Sequence, residues 1–311
     1  MTAPPFTVDV VSPQFPCGAA WLANALLELQ VPLAHLWGFD THEEWRVDAQ
    51  GASHYAADHL PWRQTLASLV PGRVFRFDNR IRPRFSHTFP WQLTWSPRLV
   101  FIVRDPRDAL YSEWQRHRRN LALDPGMPFL DFLRTSFFGG PVSMVDMLWL
   151  HLRCWQALRA QQPERVYLLR FEDWKRDPVG ELHAVARWIG LQPDTTALSQ
   201  AAGASDVQHL LAVEDALAAQ APDGPRYNRA GEAGEWRRRW PADWHAALGP
   251  QWMPVMASYG YALAARNGDG PRPACDLAEA LAWRGLVDPS EAAGWAAALA
   301  PEFGAENLAA G

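Results

Sequence analysis

Segments with the character of β-strands alternate with amphipathic segments along this chain. Short apolar or β-branched runs, bounded by turn or charged residues, predict four strands: Phe6–Val11, Val74–Asp78, Leu99–Val103 and Val166–Arg170. Helical patterns follow several of them and cover Ala19–Leu29, Pro106–Arg118, Val142–Ala160 and Pro178–Ile189. This alternation predicts an α/β fold in which helices flank a parallel sheet, with ligands bound beyond the carboxyl ends of the strands.

The composition limits the kinds of binding partner and the cellular compartment that we expect. The net charge of −5 over 311 residues argues against a general nucleic-acid or membrane-surface binder, so any anion site has to be local. The three cysteines are far apart and form neither a disulfide framework nor a zinc pattern. The N-terminus lacks the pattern of a signal peptide, and no apolar run reaches the ~18 residues of a membrane span. We therefore expect a cytoplasmic protein that binds no metal, nucleic acid or membrane.

Residues 1–266 are predicted to form one domain, and residues 267–311 a helical C-terminal tail. The tail opens on a stretch rich in Gly and Pro and then becomes rich in Ala, which is typical of helix. Two segments inside the domain interrupt the alternation. Val31–Val70 is irregular and rich in His and Trp, so we expect it to cover a substrate. Leu121–Gly140 contains several Pro and Gly residues and is predicted to be a second, mobile insert.

The stretch LVFIVRDPRDALYSEW has the pattern of a strand, a turn and a helix. Asp105 has the side chain of an N-cap, and the proline after it suits the first helical position. This places Arg104 at the carboxyl end of a central strand and Ser112 on the helix, near the end where the helix dipole favours anions. A guanidinium fork and a hydroxyl at one helix start suit a phosphate group. The alternative is a surface Arg–Asp pair beside a well-capped helix.

This stretch resembles the 3′-phosphate motif of the sulfotransferases that use 3′-phosphoadenosine 5′-phosphosulfate (PAPS). In that family an Arg after a strand is followed by a Pro, a basic residue, an Asp, and a Ser eight positions after the Arg. Arg104 and Ser112 have this spacing. The resemblance implies the sulfotransferase fold, a P-loop-like parallel sheet flanked by helices. It also implies PAPS as the sulfuryl donor and adenosine 3′,5′-bisphosphate (PAP) as the product.

Two later stretches extend the resemblance. YLLRFEDWKRDPVGELHAVARWIGL, from Tyr167 to Leu191, is similar to the family's strand-then-helix segment, and Phe171 stands where a tyrosine near the adenine is usual. RAGEAGEW, the late loop Arg229–Trp236, resembles a Gly-containing loop whose Arg and following Gly backbone contact the 3′-phosphate. The resemblance therefore adds five residues to the cofactor site: Phe171, Ser205, Arg229, Ala230 and Gly231.

The phosphosulfate loop, Phe15–Trp21, departs from the family. FPCGAAW resembles the family's Tyr-Pro-Lys-Ser-Gly-Thr-Thr-Trp, with Gly18 and Trp21 aligned. Cys17, Ala19 and Ala20 replace the Ser and both Thr, and the lysine is missing. Backbone N–H groups here can still bind the 5′-phosphate, and Trp21 can stack on adenine.

The missing lysine matters because, in the family, it stabilises the charge that develops on the leaving 5′-phosphate. Lys175 is the only lysine in the chain, and the family's layout predicts that it lies far from the phosphosulfate loop. Arginines near the second predicted strand are the candidates to replace it: Arg76, Arg80, Arg82 and Arg84.

RPRFSHTFPW resembles the family's Lys-Thr-His-Leu-Pro segment, which carries the catalytic base, and its histidine is His87. Histidine suits proton removal from a hydroxyl near neutral pH. The alternative is a surface or capping histidine, since the chain has 10 of them. Other candidates for the base lie in the substrate-covering segment: His35, His42, His54, His59, Glu43 and Glu44.

The sequence thus predicts sulfuryl transfer from PAPS to a hydroxyl of a small aromatic or apolar acceptor, in a bacterial biosynthetic pathway. Tryptophans would line the acceptor pocket: Trp37, Trp45, Trp62, Trp91 and Trp95. The alternative is a catalytically impaired protein that binds PAP or PAPS, or a scaffold, because the phosphosulfate loop is altered. A P-loop kinase is disfavoured because the Gly-x-x-x-x-Gly-Lys-Ser/Thr loop is missing.

Overall fold

The computed structural model describes the larger part of the chain: residues 6–37, 40–43, 45–47, 53–55, 77, 80–90, 96–120, 124, 126–219, 228–240, 248–249 and 251–261. Between residues 36 and 55 only the backbone is described. The predicted tail 267–311 lies outside the described residues, and so does the predicted strand Val74–Asp78, except for Phe77, which belongs to no strand.

Eight strands are present in the described part of the chain: β1 Val8–Val11, β2 Ala34–Trp37, β3 Asp40–Glu43, β4 Trp45–Val47, β5 Ser53–Tyr55, β6 Pro83–Ser86, β7 Arg98–Val103 and β8 Val166–Arg170. Six of them form the central sheet in the order β3, β2, β6, β1, β7, β8. In this sheet β2, β6, β1, β7 and β8 run parallel, and β3 is antiparallel to β2. Strands β4 and β5 form a separate antiparallel pair. The predicted α/β fold with a parallel sheet is therefore confirmed.

Helices surround this sheet over the described residues: α1 Ala19–Glu28, α2 Pro106–Asn120, α3 Phe129–Arg134, α4 Met144–Gln161, α5 Phe171–Arg176, α6 Pro178–Ile189, α7 Thr195–Ala204, α8 Val207–Ala218, α9 Trp236–Arg239 and α10 Trp252–Ser258. Side-chain caps begin α4, α6 and α7, where Ser143, Asp177 and Asp194 each accept a backbone N–H of the first turn. None of these helices combines the length and the hydropathy that a membrane span requires.

The hydrophobic core lies around β1 and β7, which are buried along nearly their whole length. Trp155 of α4 stacks on Phe101 of β7 with ring centroids 5.1 Å apart. On α6, Trp188 donates its Nε1–H to the Leu99 carbonyl of β7 at 3.2 Å. Indoles that pack on the sheet or satisfy their N–H groups there fix α4 and α6 against β7.

The structure corrects two predicted loop segments. Val31–Val70 contains strands β2 to β5, so it is not simply irregular. Leu121–Gly140 includes α3, whose Phe129 and Phe132 are buried, and Phe137 is buried just after it. The second half of this segment is thus part of the core and not an open insert, because α3 packs against α2 and α4.

Candidate functional site

Four residues come directly after four neighbouring parallel strands and meet at one edge of the sheet. Ser12 follows β1, His87 follows β6, Arg104 follows β7 and Phe171 follows β8. The carboxyl ends of parallel strands share an edge, which is where α/β proteins bind ligands. Ser12 and His87 are in hydrogen-bond contact, and the Arg104 guanidinium lies over the Phe171 ring. The structure therefore brings the predicted base and part of the predicted cofactor site together.

Arg104 is buried and reaches three separate segments through its guanidinium. Nη1 donates to the Pro16 carbonyl at 3.1 Å and to Ser112 Oγ at 3.0 Å, and Nη2 donates to the Glu232 carbonyl at 2.7 Å. Its Cζ lies 4.4 Å from the ring centroid of Phe171. Nε is buried and has no hydrogen-bond partner among the described residues. A buried cation that faces neutral oxygens and keeps an unsatisfied donor fits the binding of an anion.

The first turn of α2 holds the late loop in place. Asp105 caps the helix by accepting the Arg107 N–H at 3.0 Å, which confirms the predicted N-cap, and it also pairs with the Arg107 guanidinium. Asp108 accepts the backbone N–H groups of Gly234 and Trp236 at 2.5 and 2.8 Å. Burial raises the pKa of Asp108. Asp108 therefore anchors the late loop, a role that the sequence analysis missed.

Arg229 and Gly231 stand on the late loop in different surroundings. Arg229 donates twice to Glu235, once at 2.8 Å, and its guanidinium lies 5.7 Å from the Tyr111 ring of α2. Burial alone raises the pKa of Glu235, but the hydrogen bond and charge of Arg229 outweigh it, so that the pKa is lowered. Gly231 has a φ of +58°, and a Cβ there would lie 2.5 Å from Trp21 Cη2. Ala230, between them, is half-buried.

The phosphosulfate loop ends at an open helix start. Gly18 is the N-cap of α1 with a φ of +94°, and no side chain caps the helix or places a carboxylate in its first turn. Backbone N–H groups at such a helix start form an anion site. Burial raises the pKa of the Cys17 thiol to about 12, so it is neutral at physiological pH. Ala19 and Ala20 are half-buried and can contribute only backbone groups.

Trp21 lies at the other end of the site from His87, among aromatic, polar and cationic groups. Its ring centroid is 5.1 Å from that of Phe171, and its Nε1 donates to Asn228 Oδ1 at 3.2 Å. Lys175 Nζ lies 4.9 Å from the Trp21 ring centroid. The prediction that Lys175 is far from the phosphosulfate loop is therefore wrong, because α5 folds back from the end of β8. The ammonium group nevertheless lies over the indole that ends this loop.

Ser205 lies at the end of α7, which packs against α1. It is buried, and its hydroxyl donates to the Ala201 carbonyl at 2.9 Å. Two residues later, Val207 adjoins the late loop, since a Cβ on Gly231 would lie 3.1 Å from Val207 Cγ2. The structure thus places Ser205 behind the Trp21 end of the site.

His87 is held in one orientation by the strand beside it. Nδ1 lies 3.1 Å from the Ser12 carbonyl oxygen and 3.2 Å from Ser12 Oγ. When Nδ1–H is donated to the carbonyl, Nε2 keeps its lone pair, which is the tautomer of a general base. Burial lowers the pKa of His87 to about 4, so the imidazole is neutral at pH 7. Behind it, His151 Nε2 contacts the Thr88 carbonyl at 3.0 Å, and burial lowers the pKa of His151 to about 3.

A charged cluster on α2, Glu113, Arg116 and His117, is absent from the sequence prediction. Arg116 donates to Glu113 through Nε at 2.8 Å and through Nη2, and His117 Nε2 lies 2.9 Å from Glu113 Oε1. Burial alone raises the pKa of the fully buried Glu113. The charge of Arg116 and the hydrogen bonds from Arg116 and His117 outweigh this effect, so the pKa is lowered. The charge of Arg116 lowers the pKa of His87, and the charge of Glu113 raises it. The cluster therefore acts electrostatically on the predicted base.

Two of the arginines that were candidates to replace the loop lysine lie elsewhere. Arg84 donates to Asp9 at 2.7 Å, and its guanidinium lies 5.1 Å from the Phe6 ring. Arg82 lies over the same ring at 5.8 Å. Phe6 precedes β1 and Asp9 lies in its first half, toward the sheet edge opposite the site. The prediction is wrong for Arg82 and Arg84, because β6 runs from them toward His87.

The remaining predicted residues divide into three groups. Arg80 is exposed, and His35 is buried with its ring stacked 5.3 Å from Phe85, away from solvent. Several fall outside the described residues: Arg76, His59, Glu44, Trp62, Trp91 and Trp95. For others the backbone alone is described: Trp37, His42, Glu43, Trp45 and His54.

Comparisons with known proteins agree on one family. The sulfotransferase domain family matches residues 23–246 of this chain. Cytosolic sulfotransferase 3 of Arabidopsis thaliana is 30% identical over 105 residues, which are 33% of this chain and 33% of that protein. The match thus spans about a third of the length of this curated relative.

Two solved structures share the fold. Mouse sulfotransferase SULT7A1 complexed with PAP aligns over 86% of both chains, with a TM-score of 0.52 and 16% identity. Retinol dehydratase in a complex with retinol and PAP aligns over 85% of this chain and 84% of that chain, with a TM-score of 0.53 and 17% identity.

Proposed function

Because this chain belongs to the sulfotransferase domain family, we propose that it is an enzyme that transfers the sulfuryl group of PAPS to a hydroxyl of a small aromatic or apolar acceptor. One observation carries the proposal. Arg104 joins the phosphosulfate loop, α2 and the late loop, three segments in which the sequence resembles the family's nucleotide site. The buried, unpartnered Nε of Arg104 supports an anion at this junction.

The 3′-phosphate of the nucleotide is assigned to Arg104, Ser112 and Arg229. Two guanidinium forks and a hydroxyl provide bidentate and single donors for phosphate oxygens. The backbone of Ala230 and Gly231 approaches the same group, since Gly231 has no side chain to hold it away.

The 5′-phosphate is assigned to the backbone N–H groups at the start of α1, from Cys17 to Ala20, where no side chain competes. The adenine is assigned to the aromatic pair Trp21 and Phe171, with Ser205 behind it. Phe171 can stack on the base but has no hydroxyl to donate to it.

His87 is assigned as the general base. PAPS supplies an activated sulfuryl group when bound. With Nδ1–H directed at Ser12, Nε2 of His87 accepts the proton of the acceptor hydroxyl. The acceptor oxygen forms the new bond to sulfur, and the bond from sulfur to the 5′-phosphate oxygen breaks with its electron pair left on that oxygen, so that PAP is the product. The low pKa of His87 keeps Nε2 unprotonated at neutral pH.

An apolar acceptor is supported by the ligands of one structural neighbour. Retinol dehydratase was crystallised with retinol and with androsterone, both of which are largely hydrocarbon molecules with a hydroxyl group. The sulfotransferase domain proposed here covers residues 1–266, and the tail 267–311 follows the end of the family match at residue 246.

A second candidate function is nucleotide binding without transfer. The observation that favours it is the phosphosulfate loop, where Cys17 is a neutral thiol and Ala19 and Ala20 carry no hydroxyl. Removing one charged donor from a transition state costs on the order of a hundred- to a thousandfold in rate.

Calorimetric titration with PAP tests the nucleotide site. The wild-type protein is expected to bind PAP, and Arg104→Ala to bind at least about tenfold more weakly, because charged hydrogen bonds to the phosphate are lost. Arg187→Ala is the matched control, since Arg187 is exposed on α6 away from the site. A folded wild-type protein that does not bind PAP would contradict the proposal.

Transfer is tested with PAPS and a panel of phenols and apolar alcohols, with PAP release as the readout. His87→Gln is expected to bind PAP like the wild type and to transfer on the order of 10²- to 10⁴-fold more slowly. PAP binding without transfer to any acceptor would favour the second candidate function.

A further inference from the structure

Sulfuryl transfer needs a positive charge that the phosphosulfate loop does not supply. Charge develops on the 5′-phosphate and on the sulfuryl oxygens as the bond between them breaks, and a fixed cation lowers that barrier. Lys175 lies over Trp21, at the far end of the loop, and Arg84 is paired with Asp9 at the opposite edge of the sheet. Because Arg104 is assigned to the 3′-phosphate, the candidate that remains among the described residues is a cation that acts on His87.

We propose that Arg116 supplies this charge and contacts the sulfuryl group during transfer. The inference rests on the proposed function and deepens it, because it names a catalytic residue that the family motifs in this sequence do not include.

One face of α2 carries both Ser112 and Arg116. Arg104 bridges Ser112 Oγ and the Pro16 carbonyl, so the face of α2 that holds Ser112 is turned toward the phosphosulfate loop. Residues four apart share a helix face, and Arg116 therefore lies one turn beyond Ser112, about 6 Å along the axis. This turn therefore carries Arg116 past the 3′-phosphate assigned to Ser112, on the same face of α2.

Electrostatic coupling supports the same position. Besides the larger effect of burial, Arg116 and His35 lower the pKa of His87, while Glu113 and the hydrogen bond that His87 donates to the Ser12 carbonyl raise it. The charge of Glu113 also acts on Cys17 in the phosphosulfate loop. The charge of Glu113 therefore acts on both the loop and the base, and Glu113 is bound to Arg116.

Arg116 is both oriented and accessible. Glu113 binds Nε and Nη2 of Arg116, and His117 contacts the same carboxylate, so the guanidinium is fixed in one orientation. A fixed guanidinium loses little side-chain entropy when it binds an anion. The Arg116 side chain is still 30% exposed, so a ligand that enters from solvent can reach it.

The test compares the affinities of PAPS and PAP, which differ only in the sulfuryl group. Arg116→Met leaves Glu113 buried without its main partner. The double variant Glu113→Gln with Arg116→Met, which removes both charges, is therefore measured as well. In both, we expect PAPS to bind at least about tenfold more weakly, and PAP to change by less than about twofold. Arg116→Lys is expected to restore part of the preference for PAPS over PAP. Arg134 is exposed on α3, so Arg134→Ala is expected to bind both nucleotides like the wild type.

A second readout needs no nucleotide. NMR titration of His87 in the free protein is expected to show a higher pKa in Arg116→Met than in the wild type, and a pKa near that of the wild type in Arg116→Lys. An unchanged pKa of His87 in folded Arg116→Met overturns the placement of Arg116.

The outcomes separate this inference from the proposed function. If the wild type binds PAP and the variants weaken PAP and PAPS equally, the role of Arg116 is overturned and the nucleotide site stands. If the wild type binds neither nucleotide, both are overturned.

Discussion

Gly231 shows how much of the site depends on the absence of a side chain. A φ of +58° disfavours other residues, and a Cβ would overlap the indole of Trp21 at 2.5 Å. We expect Gly231→Ala to weaken PAP binding on the order of tenfold, because strain of about 1–3 kcal/mol displaces the late loop from Trp21. Calorimetry with PAP measures this loss.

Gly139 provides the matched control for that substitution. Its φ is +78°, but no atom of the described residues lies within 4 Å of a Cβ built there. Gly139→Ala therefore adds the backbone strain without the overlap, and it should lower the thermal unfolding temperature while PAP binding stays unchanged. Equal binding losses in both variants would mean that the contact with Trp21 has no part in the effect.

Site residues could be predicted from the sequence where their spacing alone identifies them. Arg104 and Ser112 were found from the eight-residue interval on a strand and its following helix. Glu113 and Arg116 were not, since charged residues three apart on a helix usually form an exposed pair. Only the structure shows that Glu113 of this pair is fully buried.

At the scale of elements, Asp108 links the start of α2 to the late loop. Its carboxylate accepts the N–H groups of Gly234 and Trp236. Asp108→Ala leaves both donors without this acceptor, and we expect PAP affinity to fall on the order of tenfold, with a stability loss of about 1–3 kcal/mol. Urea unfolding and calorimetry with PAP measure the two effects.

Asp177→Ala is the control that separates a general loss of stability from the loss of the contact between Asp108 and the late loop. Asp177 caps α6 by accepting the Gly180 N–H at 2.9 Å, so its removal costs about 1 kcal/mol. PAP affinity should not change in this variant. If Asp177→Ala weakened binding as much as Asp108→Ala does, the anchoring role of Asp108 would be refuted.

Elements were predictable where local signals were strong. The apolar runs of β7 and β8 and the capped starts of α2 and α6 gave bounds close to those observed. Strand β6 has no such run: a proline, an arginine, a phenylalanine and a serine become a strand because β1 and β2 pair with it on either side. Pairing between distant segments overrides local propensity, and the base at the end of β6 was therefore found from the family motif alone.

At the scale of the whole molecule, buried neutral histidines make stability depend on pH. Burial lowers the pKa of His151 from 6.5 to about 3 in the folded state. Below pH 6.5 the unfolded chain binds a proton at this residue and the folded protein does not, so stability falls as the pH falls toward 3. His151 alone contributes a loss of about 2 kcal/mol between pH 7 and pH 5.

His151→Phe isolates this contribution. The ring keeps its place between Phe89 and Phe101, and the Thr88 carbonyl still accepts the Trp155 Nε1–H at 3.0 Å. Urea unfolding at pH 7, 6 and 5 is expected to show a smaller loss of stability in the variant than in the wild type, by about 2 kcal/mol over this range. Parallel pH profiles would show that His151 has the same pKa in the folded and unfolded states, which would contradict the lowered pKa.

The contacts that build the site join residues far apart in the chain. Arg104 reaches Pro16 across 88 positions and Glu232 across 128, and Asp108 reaches Gly234 across 126. Contacts of such long range form late in folding. During synthesis, a chain that has not yet released its late loop from the ribosome carries β1, β7 and α2 but lacks Arg229 and Gly231. If the proposed nucleotide binds as assigned, it stabilises only chains whose synthesis has passed the late loop, and it is not a template for the folding of earlier segments.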